Sequence, residues 1–196
     1  MNALANDKVA DLLNERFVST YQKVGTFRIV NGQKQGGNVA SYFCRPDGTV
    51  LHGIAGQVKA EAFIAEARWA VDLHKAALND ATNLTSGNCD ASKYRALVRQ
   101  AHSDRYNMET NPGAAEQTLE RMRRRSGSRG YGNQDTQIAH LPAGLPEGVS
   151  NRAKVHWLLF TRTLPLGSLP ALGDVSRIVW EDILGESFST LPVLRK

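Results

Sequence analysis

The side chains able to do chemistry in this 196-residue chain are few and scattered. Its two cysteines, Cys44 and Cys89, are too few for a disulfide scaffold and match no zinc-ligand spacing. Cys44 follows Phe43 in an apolar run and reads as a small buried hydrophobe, because Arg45 points to the opposite face of a strand and leaves the thiol without a cation. Cys89 lies in a polar stretch and reads as exposed, open to oxidation or an intermolecular bridge. A Cys44–Cys89 bridge requires that stretch to fold back over the sheet. The five histidines, His52, His74, His102, His140 and His156, have no second metal-type residue at i+2, i+3 or i+4 in a recognised ligand pattern. The expectation is therefore no catalytic residue, no metal and no cofactor. Glu181 and Asp182 read as surface charges, and no Ser-His-acid grouping can be argued from spacing, since such triads are defined by geometry.

Two further stretches have the composition of binding segments. The glycine-rich NGQKQGGN (31–38) lacks the Gly-Lys-Ser/Thr ending of a phosphate loop and opens no helix, so it reads as turn chemistry. Residues 91–129 carry nine basic and four acidic side chains, and so hold the whole net charge of +5. Within them Arg121, Arg123, Arg124, Arg125 and Arg129 are interleaved with glycine and one tyrosine, a composition found in arms that bind polyanions. A solvated helix end explains the same residues, because cations are favoured near a helix C-terminus. That second reading is preferred.

The elements that position these side chains follow from periodicity. Residues 4–15 have helical spacing with Asn6 or Asp7 as cap, and FVSTYQKV (17–24) alternates as a strand does. TFRIV (26–30) predicts a second short strand. VASYFC (39–44), the RPDG turn and TVLHGIAG (49–56) predict a hairpin. Over 59–78 a helix is predicted with Phe63, Ala67, Ala70, Val71 and His74 on one face. Lys59, Glu61, Glu66, Arg68, Asp72 and Lys75 fall on the other. A polar linker (79–88) precedes helices expected from Asp90 or Ser92 to about Tyr106 and over 113–125. Loop chemistry fills 123–137 and 141–148, and two last helices are expected over 151–162 and 172–184, the latter stopped by Gly185.

At LLNERFV (12–18), YFCRPDGTVLHGIAG (42–56) and FIAEARWAV (63–71) the chain resembles the thioredoxin-like superfamily, over about residues 4–80. The C-terminal residues resemble helical extensions on bacterial members of that superfamily. The resemblance implies an α/β fold: a truncated or degenerate thioredoxin-like sheet with a mostly helical C-terminal extension. It divides the chain into a thioredoxin-like domain (1–80), a linker with basic helices and loops (81–150) and a helical extension (151–196). Redox members carry a Cys-x-x-Cys pair at the start of the first helix and a cis-proline before the hairpin. Here the pair would fall before Met1, and Val39 stands at the proline position.

A non-catalytic binding or assembly module with an unknown protein partner is the reading that follows. One alternative is a thiol-disulfide oxidoreductase whose active site precedes Met1. Another is a polyanion-binding protein acting through residues 121–129, with nucleic acid as the less favoured partner. No run approaches the roughly 18 apolar residues of a membrane span. A cytoplasmic location is expected as written, and export if the natural start lies upstream.

Overall fold

The computed structural model describes residues 3–22, 27–30, 33–36, 38–111, 113, 144–163 and 168–186. Helix α1, Asp7–Arg16, follows a 3-10 turn over Ala3–Ala5. It is capped by Asn6, whose side chain accepts from the Lys8 backbone N–H at 3.1 Å. Strands β1 (Phe27–Val30) and β2 (Gln33–Gly36) pair antiparallel with Val30 opposite Gln33. The glycine-rich segment read as turn chemistry thus contributes a strand at Gln33–Gly36. Residues 17–22 join no sheet. Val18 and Tyr21 are almost fully exposed, and β-branched or aromatic residues favour strand only where a pleated neighbour covers them.

The predicted hairpin forms β3 (Ala40–Cys44) and β4 (Val50–Ala55), a two-stranded antiparallel sheet with Phe43 opposite His52. Its turn is tied by Asp47, which accepts from the Thr49 backbone N–H at 3.0 Å and from the Thr49 hydroxyl at 2.6 Å. Gly48 takes a φ of +79°, which residues with a Cβ resist. Val50 to Ile54 are buried without alternation, because helices pack on both faces of β4.

Helix α2 (Ala60–Ala81) lays Phe63, Ala67 and Ala70 on one side of the hairpin, with α1 beyond. Helix α3 (Ala91–Thr110) is capped by Asp90 and packs on α2 through Tyr94, Leu97 and Val98. Helix α4 (Asn151–Arg162), capped by Ser150, covers the other face of β4 with Val155, Leu158 and Leu159. Helix α5 (Leu172–Ile178) joins that cluster and widens into a π-turn over Val179–Ile183 before Gly185, at φ +66°. The described residues form a mixed α/β structure that is mostly helical.

Gly53 governs how closely α4 approaches. A Cβ there would meet Tyr42 Cδ1 at 3.4 Å and Val155 Cγ1 at 3.6 Å, so the α4 face lies in van der Waals range of the β4 backbone. His52 precedes this glycine and His156 follows that valine.

Candidate metal centre

Three elements each place one histidine at the point where they meet: His52 from β4, His102 from α3 and His156 from α4. All three are buried, at 1%, 0% and 0% exposure. One ring nitrogen from each lies within 4.8 Å of the others. Trp69 of α2 stands edge-to-face against all three rings at centroid distances of 4.8, 5.2 and 5.3 Å. The Arg105 guanidinium lies 4.2 Å from the Trp69 ring centroid.

The hydrogen bonds fix which nitrogens carry protons. His52 Nε2 lies 2.9 Å from Glu66 Oε2, and a carboxylate only accepts, so this nitrogen donates and Nδ1 holds a bare lone pair. His102 Nε2 donates to the Leu51 carbonyl at 2.8 Å by the same logic, leaving His102 Nδ1 as an acceptor. His156 Nδ1 sits 2.9 Å from that acceptor and must be the donor. His156 Nε2 is then unprotonated. His52 Nδ1 and His156 Nε2 are both buried with no hydrogen-bond partner. Leaving a buried polar atom unsatisfied costs about 1–3 kcal/mol.

Burial pushes the pKa of every imidazole in the centre down. That of His102 falls to about 3, with the charge on a protonated His52 a lesser cause. His52 is lowered by burial against the opposing pull of Glu66, and His156 well below its usual value by burial and then by His102 and His52. Neutral imidazole is the form that binds a metal ion.

Glu66 is the correction to the sequence reading, which set it on the solvent side of α2. It is 7% exposed and occupies the apolar stripe, three residues after Phe63 and four before Ala70. A carboxylate is tolerated there because it is paired on three sides. Besides His52, it accepts from Arg105 Nη1 at 3.1 Å and from Arg152 Nη2 at 2.7 Å. Burial alone would raise its pKa, but the His52 bond and the two guanidiniums outweigh that and hold it lowered. A carboxylate or backbone carbonyl on the far nitrogen of a histidine is the common support for a metal ligand. Glu66 supplies it for His52 and Leu51 for His102.

Elsewhere, Cys44 is half-buried with its thiol pKa raised by burial and then by Asp47, while Cys89 is exposed, and both are free. His74 bonds the Tyr94 hydroxyl at 2.8 Å, away from the three-histidine centre. His140 and the basic residues Arg121, Arg123, Arg124, Arg125 and Arg129 lie outside the described residues. Of the earlier basic residues, Arg99 donates to the Phe160 carbonyl at 3.2 Å and Arg105 turns inward to Glu66. Glu181 pairs with Arg177 one turn away on the surface, as expected.

No protein-family model, curated protein or solved structure matches this chain.

Proposed function

We propose that this chain is a non-catalytic module that holds a transition-metal ion in the His52–His102–His156 centre. The observation that carries this reading is the pair of bare, buried lone pairs on His52 and His156, beside a third imidazole whose far nitrogen is already anchored. Each ring offers a nitrogen within 4.8 Å of the others, so an ion among them takes one donor from each, and the His102–His156 bond gives way to it. Imidazole nitrogen suits zinc, copper, iron and nickel. Closure of the centre favours a holding role, because catalytic metal sites keep a position open to water and substrate. The thioredoxin-like scaffold is part of the same proposal. The hairpin and α2 fall where the resembling motifs lie, which supports it.

The test is zinc titration of chelator-treated protein, followed by imidazole nitrogen NMR. One equivalent of zinc should shift the ring nitrogens of His52, His102 and His156 and leave those of His74 unmoved. His156→Gln, which keeps a polar side chain on α4, should lower affinity at least about a hundredfold. Spectra of the three histidines unchanged by zinc and by copper(I) alike, or equal affinity in the variant, would overturn the reading.

A further inference from the structure

The charges around the centre discriminate between ions, given the three-histidine reading above. Three neutral imidazoles bring no negative charge. Among the described residues the carboxylate bonded to them is Glu66, opposed by the guanidiniums of Arg105 and Arg152, with Glu109 3.9 Å from Arg152. Arg105 packs on the same Trp69 ring that the three histidines face. The charges of Glu66, Glu109, Arg105 and Arg152 therefore cancel. Each positive charge of an incoming ion is buried with little to balance it, so a divalent ion is penalised more than a monovalent one.

The donor set points the same way. Structural zinc sites are almost always four-coordinate. Among the described residues the three imidazoles are the donors gathered here. Glu66 is held on His52 and two arginines, and freeing it would strip the inward-turned Arg105 of its carboxylate. The cysteines are no substitute: Cys44 packs with the β4–α4 cluster and Cys89 is at the surface. We infer that the centre is built for monovalent copper, held by three imidazole nitrogens, in preference to zinc.

The experiment is a competition between the two ions on the full chain. Copper(I) is supplied under argon as its acetonitrile complex, zinc as its chloride, each at one equivalent to chelator-treated protein. Bound metal is measured after desalting, and the copper environment by X-ray absorption, which separates sulfur from nitrogen neighbours and so detects binding at Cys44 or Cys89. The expected result is retention of copper with nitrogen neighbours only, at a coordination number of three. Charge scaling gives a second readout. Arg152→Met removes one guanidinium and should tighten zinc by about tenfold but copper(I) by only about threefold, since the Coulomb term is proportional to ion charge.

Retention of zinc over copper, a four-coordinate copper site, or equal gains for both ions in Arg152→Met would overturn the choice of ion and leave the three-histidine centre standing. Copper with sulfur neighbours would overturn it as well. Binding of neither ion would overturn the metal-holding reading itself.

Discussion

Protonating any one of His52, His102 and His156 places a cation in a buried centre whose neighbouring carboxylate, Glu66, already carries two guanidiniums. Their folded pKa values lie below the unfolded value of about 6.5, so below that pH the unfolded chain binds more protons than the folded one. Stability is full above pH 6.5 and falls as the pH drops toward about 3, the value for His102. Each such proton contributes a slope of about 1.4 kcal/mol per pH unit while the folded state excludes it. Circular dichroism of chelator-treated protein between pH 7 and 3 measures it, and a stability that is flat down to pH 4 would contradict the neutral, buried assignment. None of this was legible from local spacing. His52, His102 and His156 are separated by 50 and 54 residues, and a pattern test at i+2 to i+4 sees only one turn or one strand at a time. Glu66 was the available signal: a carboxylate at i+3 from Phe63 and i−4 from Ala70 sits in the apolar stripe, and a buried charge there requires partners.

Among the described elements, the hairpin and the α-helices were the legible part, although α2 runs on to Ala81, three residues into the stretch expected to be linker; the helix expected over 113–125 lies outside the described residues apart from Gly113. Asp47-Gly48 fixes the turn, Asn6 and Asp90 cap their helices as their types predict, and Gly185 ends the last helical segment. These signals are local, and local chemistry decides them. Residues 17–22 fail for the opposite reason: their strand propensity needed a neighbour that only the tertiary fold supplies, and Val18 and Tyr21 face solvent. The closeness of β4 and α4 was also invisible, although Gly53 sits at its centre. Gly53→Ala adds a Cβ at ordinary contact distance and should be nearly neutral. Gly53→Val drives two methyls toward Tyr42 and Val155 and should cost about 1–3 kcal/mol by overpacking. Paired urea melts of the two variants check this, and equal midpoints would mean that α4 does not rest on the β4 backbone.

For the molecule as a whole, the three histidines join the hairpin to α3 and α4, so an ion bound among them acts on the folding equilibrium of all three. An ion that binds only the folded state at a hundred times its dissociation constant adds about 2.7 kcal/mol. For a chain of this size that raises Tm by roughly 5–10 °C. Scanning calorimetry with and without the ion tests it, with His156→Gln expected to abolish the shift. A Leu159→Ala cavity beneath α4 should lower stability by about 2–5 kcal/mol and still leave a positive shift. A rise in Tm that survives His156→Gln would place the ion elsewhere.

The order of the ligands along the chain has a consequence for synthesis. His52 and its supporting carboxylate Glu66 leave the ribosome early, while His156 and Arg152 come about a hundred residues later. At about 5–20 residues per second the interval is on the order of 5–20 s. Throughout it the nascent hairpin and α2 carry a carboxylate whose second guanidinium does not yet exist. The three histidines meet only when α4 docks, so under the metal-holding proposal loading would fall at the end of folding, and a chain arrested before residue 156 would lack one of its three donors.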